Sequence, residues 1–97
     1  EYRAFSDCVS LTSITISNNV TLIWDYAFYN CTSLTSITIP NSVMCIRNFA
    51  FFGCTSLTSI TFKGTKAQWN QISKGSNWDD NTGDYTIHCT DGDITKQ

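Results

Sequence analysis

The sequence predicts a repeat solenoid, on three observations. Apolar residues return in register every 23 residues, an extended β-branched hexamer recurs at the same interval, and the period stops near residue 62, where a differently composed tail begins. Self-similarity at a fixed period outranks local secondary-structure signals, because one such unit cannot cover its own apolar face and must share a core with its neighbours. The columns run Ala4, Ala27 and Ala50, then Phe5, Phe28 and Phe51, then Cys8, Cys31 and Cys54. Leu11, Leu34 and Leu57, followed by Ile14, Ile37 and Ile60 and by Ile16, Ile39 and Phe62, extend the series. Val20 matches Val43, and Ile23 matches Ile46.

Each 23-residue coil divides into a few parts. The hexamer Leu-Thr-Ser-Ile-Thr-Ile at 11–16 and 34–39, and Leu-Thr-Ser-Ile-Thr-Phe at 57–62, has the L-x-x-L-x-L spacing of a leucine-rich-repeat strand, and its β-branched residues suit an extended backbone. Period-two alternation sends Leu, Ile and the last Ile or Phe inward and leaves Thr15, Thr38 and Thr61 in water. Thr12, Thr35, Thr58 and the intervening serines are also expected on the wet side. Ser17-Asn18-Asn19 and Pro40-Asn41-Ser42 have turn composition, and short extended pieces follow at Val20–Ile23 and Val43–Ile46. Ala-Phe-x-x-Cys then sets an apolar pair and a cysteine one helical turn apart, which predicts a brief helix or 3₁₀ corner. Strands of successive coils are expected to align into a parallel sheet at about 4.8 Å spacing.

Residues 1–62 are therefore read as leucine-rich-repeat coils and 63–97 as a C-terminal cap of the same domain. Thr65 is placed to cap a short helix through Trp69 and Ile72, ended by Gly75, and Asp91-Gly92 to turn a hairpin between Tyr85–Cys89 and Asp93–Thr95. Caps shield the last coil of a solenoid from water and from edge pairing. The start at Glu1 falls in the middle of a coil, so the strand at 11–16 is expected to present an unpaired edge. That predicts a piece of a longer parent, or a homodimer formed through the uncapped N-terminal coil.

Ninety-seven residues allow one domain. Six basic against eight acidic side chains give a net charge of −2, which supplies no positive field for nucleic acid. No stretch of 18 apolar residues is present, so this segment is not expected to insert in a membrane.

The run Ala-Phe-x-x-Cys-x-Ser-Leu-Thr-Ser-Ile-Thr-Ile-Pro-Asn-Ser-Val resembles the BspA-type leucine-rich repeats of bacterial surface proteins over residues 1 to about 62. The tail, with Lys63-Gly64-Thr65-Lys66-Ala67-Gln68-Trp69-Asn70 and Thr86-Ile87-His88-Cys89-Thr90-Asp91-Gly92, resembles the closing segment of such proteins. The resemblance implies a module at the cell surface or secreted, in some members an adhesin for host or neighbouring-cell proteins. It carries no fixed functional motif to transfer. Where the family usually has Gly after the second extended piece, this chain has Trp24 and Arg47.

Chemistry-bearing residues are sparse. Five cysteines are an odd count and three share one repeat column, so Cys8, Cys31 and Cys54 read as small buried hydrophobes. Cys45 reads as an exposed thiol, with a Cys45–Cys89 bridge as the alternative. His88 is the sole histidine and no C-x-x-C occurs, so neither a metal site nor a catalytic triad is expected, and no cofactor is implied. Asp79-Asp80-Asn81-Thr82-Gly83-Asp84 has the composition of a calcium loop without its closing glutamate and reads as a solvated acidic turn. Hydroxyl ladders resemble the threonine arrays of ice-binding solenoids, but a wet strand face accounts for them.

What differs between coils while facing outward cannot be demanded by the scaffold. Beside the Ala-Phe pair stand Arg3 and Ser6 in the first coil, Tyr26 and Tyr29 in the second, and Phe49 and Phe52 in the third, with Trp24 and Arg47 just ahead. Trp24, Tyr26, Tyr29, Arg47, Phe49 and Phe52 are the candidate partner-binding residues, since a clustered aromatic surface exceeds ordinary scatter and Trp, Tyr and Arg are common anchors. The competing reading is that these rings pack on one another and seal the corner. The expected function is a non-catalytic protein-binding module. A structural spacer or terminal cap of a stalk, and a carbohydrate-binding surface centred on Trp24, are the alternatives.

Overall fold

The computed structural model of the protein describes residues 5–96. Strands β1 (Ser13–Thr15), β3 (Ser36–Pro40), β5 (Ser59–Lys63) and β7 (Thr86–Cys89) line up in parallel, one per coil, and β8 (Gly92–Thr95) closes the sheet antiparallel to β7. A second, narrower parallel sheet is formed by β2 (Leu22–Ile23), β4 (Cys45–Ile46) and β6 (Ser73–Lys74). Register follows the sequence period: Ile14 lies beside Ile37, Ile37 beside Ile60, and Ile60 beside Ile87. The tail lacks the sequence period, yet it continues both sheets.

The corner between β2 and the next coil's strand differs from a continuous helix. It is a chain of single turns in which alternate amides look in different directions. Ala27, Tyr29 and Cys31 donate backward to Trp24, Tyr26 and Phe28, the i→i+3 bonding of a 3₁₀ turn. Tyr26, Phe28 and Asn30 donate instead to Asn48, Ala50 and Phe52 of the following coil, at 3.1, 2.7 and 2.8 Å. Left-handed residues make the alternation: Tyr26 and Asn30 have φ of 60° and 58°, and their equivalents Phe49 and Gly53 have 58° and 82°. A helix would point every N–H along its own axis, and the coil would lose its link to its neighbour.

The core lies between the two sheets and the corner. Leu34, Leu57, Ile37, Ile60, Ile39, Phe62, Ile46, Phe51, Cys31 and Cys54 are fully buried. Phe5, Phe28 and Phe51 form one column, with ring centroids 5.4 and 5.1 Å apart and planes within 6° and 2° of parallel. Ala4 and Arg3, which the repeat sets ahead of Phe5, lie outside the described residues. Thr12, Thr35 and Thr58 are exposed as expected, and their hydroxyls link coils, Thr35 and Thr58 donating to the carbonyls of Thr12 and Thr35.

In the tail, helix α1 (Lys66–Gln71) starts with a reciprocal capping box. The Thr65 hydroxyl accepts from the Gln68 amide, and the Gln68 side chain accepts from the Thr65 amide. The helix ends at Gln71, with Ile72 as its cap, rather than at Gly75. Ser73 and Lys74 must turn extended to pair with β4, and Gly75 serves a different need. A β-carbon there would sit 2.6 Å from the Asn48 nitrogen, so Gly75 lets the tail pass close against the third coil's backbone. Trp69 covers Phe62, edge to face at 5.3 Å, and Trp78 meets Phe51 at 6.2 Å.

At the other end, β1 and β2 are the outer strands of their sheets. Between them opens an apolar mouth of about 240 Å³ lined by Ile14, Ile16, Val20, Ile23, Trp24 and Phe28 among others.

Because Phe51 is fully enclosed whereas Phe5 is 37% exposed, truncating the two should differ in cost. Phe51→Ala is expected to lose about 3–5 kcal/mol in urea unfolding, and Phe5→Ala less than half of that.

Candidate functional site

The repeat geometry assembles Tyr26, Tyr29, Phe49 and Phe52 into a two-by-two block on the corner. Tyr26 stacks on Phe49 at 5.2 Å and Tyr29 on Phe52 at 5.5 Å, each pair spanning two coils. Within a coil the rings meet edge to face, Tyr26 with Tyr29 at 5.1 Å and Phe49 with Phe52 at 5.5 Å. All four are half-buried. The expectation of mutual packing along the corner therefore describes their contacts, and what remains on the surface is a row of ring edges. Among the described residues the large hydrophobics that stand out are Phe5, Val9, Trp24 and Met44, Trp24 being 41% exposed.

Trp24 and Arg47 occupy one column, one residue past the paired Ile23 and Ile46, and Gly75 continues it in the tail. The Arg47 Nε lies 3.5 Å from Asp25 Oδ1. Such an exposed pair contributes up to about 1 kcal/mol. Asp25 has a second role that sequence reasoning missed. Its Oδ1 accepts from the Asn48 amide, and Asn48 Oδ1 in turn accepts from the Ser76 amide. This ladder of short side chains, each satisfying the next coil's backbone, was signalled by Asp25 and Asn48 standing 23 residues apart with the same reach.

Backbone conformation adds a constraint on the aromatic block. Tyr26 and Phe49 hold positive φ, which costs a residue with a β-carbon roughly 1–2 kcal/mol, and bulky residues are rare there. The tail's equivalent is Asn77, with φ of 57°, a residue type that tolerates the conformation. Ring stacking returns about 0.5–1.5 kcal/mol per pair, close to the strain. The apolar ring area that Tyr26 and Phe49 bury against their neighbours adds to that return, so packing along the corner offsets the strain that asparagine would avoid.

The other sequence candidates fall elsewhere. All five cysteines are free thiols. Cys31 and Cys54 are buried and donate to the carbonyls of Phe5 and Phe28 in the preceding coil, at 2.9 and 3.1 Å. The neighbouring Cys31 thiol and burial push the Cys54 thiol well above its ordinary range. Cys45, read from sequence as an exposed thiol, is half-buried in β4, and Cys89 lies in the other sheet, so the pairing of the two is not made. Burial raises the Cys89 thiol as well. His88 pairs across the hairpin with Asp93 at 3.1 Å.

The acidic turn is organised by its own hydrogen bonds. Asp79 accepts from the Tyr85 hydroxyl and Asp80 from the Asn77 side chain, both at 2.6 Å, and the Thr82 hydroxyl donates to the Asp79 carbonyl. Among the described residues no three His, Cys, Asp or Glu side chains are grouped to hold a metal ion. Burial, with Asp79 beside it, pushes the Tyr85 phenol far above its usual range. Burial lowers the Lys74 ammonium, which donates to the Trp69 and Ile72 carbonyls and lies 4.8 Å over the Trp69 ring.

The family model described as BspA type leucine rich repeat region (6 copies) matches residues 1–77, past the residue-62 limit of the visible period. A crystal structure of a leucine rich cell surface protein from Faecalibacterium prausnitzii is similar at 45% sequence identity with a TM-score of 0.72. The match covers 73% of this chain and 19% of that one, so the chain spans well under two-thirds of its length. No curated protein matches.

The raised Tyr85 phenol makes stability fall with alkali. The folded state keeps the proton that the unfolded state releases above about pH 10, so stability is full below that pH and is lost as pH rises beyond it. In urea unfolding across that range, wild type should weaken more steeply than Tyr85→Phe.

Proposed function

The chain belongs to the BspA-type leucine-rich repeat family, and from that premise we propose that it is a non-catalytic protein-binding module of a bacterial cell-surface protein. Its partner is a protein of a host or neighbouring cell, recognised by the corner residues Trp24, Tyr26, Tyr29, Arg47, Phe49 and Phe52. The observation that carries this reading is the pair of aromatic residues at positive φ, where the tail's equivalent is asparagine. Rings kept at a position that disfavours them point to a demand beyond the backbone. The cell-surface naming of the Faecalibacterium prausnitzii relative supports the location.

Trp24 favours a second reading. Its 41% exposure leaves a flat ring beside the corner, of the kind on which a sugar stacks. Carbohydrate binding would appear as glycan-array signal lost in Trp24→Ala.

The protein-binding reading is tested with the chain immobilised against purified extracellular-matrix and bacterial surface proteins. Tyr29→Ser with Phe52→Ser follows a residue already present in that column, Ser6, and leaves the buried Phe28 and Phe51 column in place. The double variant is expected to keep the wild-type circular dichroism spectrum and to lose capture by at least tenfold. Unchanged capture removes the aromatic corner from the account.

A further inference from the structure

We infer that the aromatic corner selects a cationic partner segment, one carrying lysine or arginine beside apolar residues. The inference rests on the corner being a binding surface and concerns which chemistry it takes.

Coil-to-coil bonds give the end of the aromatic block an identity. Asn30 donates to the Phe52 carbonyl, and Gly53 donates in the same way to the Asp80 carbonyl. Asp80 therefore follows Tyr29 and Phe52 in their column, while Asn77 follows Tyr26 and Phe49 in theirs. The Asn77 side-chain amide donates to Asp80 Oδ2 at 2.6 Å, which fixes the carboxylate on the continuation of the ring row. Asp7, whose amide donates to the Tyr29 carbonyl, flanks the opposite end. Both Asp7 and Asp80 are exposed.

Charge is divided between the faces of the molecule. Asp7, Asp25 and Asp80 stand on the described corner turns, against one cation there, Arg47, already paired with Asp25, while Asp79 takes the inward position of the Phe28 and Phe51 column and accepts from the Tyr85 hydroxyl. The lysines sit on the cap. Lys63 and Lys66 lie at the end of β5 and the start of α1, Lys74 rests on Trp69, and Lys96 lies over Tyr85 and donates to the Thr82 hydroxyl. Among the described residues, the surface that presents ring edges thus carries more acidic than basic side chains. A lysine or arginine can lay its aliphatic stem along Tyr29 and Phe52 and bring its charged end to Asp80, burying apolar length while its head stays wet. Its neighbouring apolar residue would meet Trp24 or the Tyr26–Phe49 pair. A carboxylate-bearing segment would meet Asp7 and Asp80 with like charge.

Two labelled octapeptides test this, one alternating lysine with leucine and one alternating glutamate with leucine, titrated into the intact chain by fluorescence anisotropy. The lysine peptide is expected to bind at least tenfold more tightly, and to weaken as sodium chloride is raised. Asp80→Asn, which keeps the bond from Asn77 within reach, should weaken it about threefold to fivefold, the range of one exposed ion pair, and Asp80→Glu should restore it. Asp7→Asn supplies the independent check at the other end. Equal or tighter binding of the glutamate peptide overturns the inference, as does an unchanged affinity in both Asp variants. If those results occur while Tyr29→Ser with Phe52→Ser still abolishes binding, the corner binds without selecting cations. Lysine-peptide binding that survives this double variant overturns the corner as the binding surface as well.

Discussion

Every feature of this protein depends on the corner amides alternating between their own coil and the next. Phe28 to Ala50 and Phe51 to Trp78 are the central bonds of that series, at 2.7 and 2.8 Å. They set the rise from coil to coil, and that rise in turn stacks Phe5, Phe28 and Phe51 face to face and brings Ile14, Ile37, Ile60 and Ile87 side by side. A buried amide without a partner is costly, so the bond pattern and the apolar column enforce each other. The price of the alternation is left-handed backbone at Tyr26, Asn30, Phe49 and Gly53.

That constraint also determines what the molecule can display. Side chains on the inner side of each coil are fixed by the column they enter, and the corner's outer positions are the ones left free to vary. Two of the four corner aromatics sit at the left-handed positions, so they are held by strained backbone and by their neighbours' rings. The result is a packed row of ring edges in which each ring meets two others. Asp25 and Asn48 reinforce the same edge by bonding the following coil's backbone.

The scaffold was legible in the sequence because period and chemistry agreed. Leu34, Ile37 and Ile39 announced a strand by alternation, and Asp91-Gly92 announced a hairpin, although its turn falls one residue earlier, at Thr90-Asp91, with Gly92 already paired to Cys89 in β8. Three features were not legible, each for a physical reason. Ala-Phe-x-x-Cys has helical spacing, but the left-handed φ of an aromatic residue such as Tyr26 leaves no trace in composition. Gly75 looked like a helix stop, whereas a close backbone approach demanded it. The tail hid its place in the winding because α1 interrupts the spacing, although Asn77 and Asn81 repeat the corner's two left-handed positions. At the site, the sequence placed Tyr26, Tyr29, Phe49 and Phe52 together but left open how far their rings would cover one another.

Amide hydrogen exchange measured by NMR on the folded chain examines the coil-to-coil bonding most directly. Phe28 and Phe51 N–H are expected to exchange slowly, near the rate of global opening and alongside Ile37 and Ile60 of the sheet. Exchange at Phe28 and Phe51 as fast as at the exposed Asn18–Asn19 turn would mean that the corner is not bonded across coils, and the stacked display built on it would not stand.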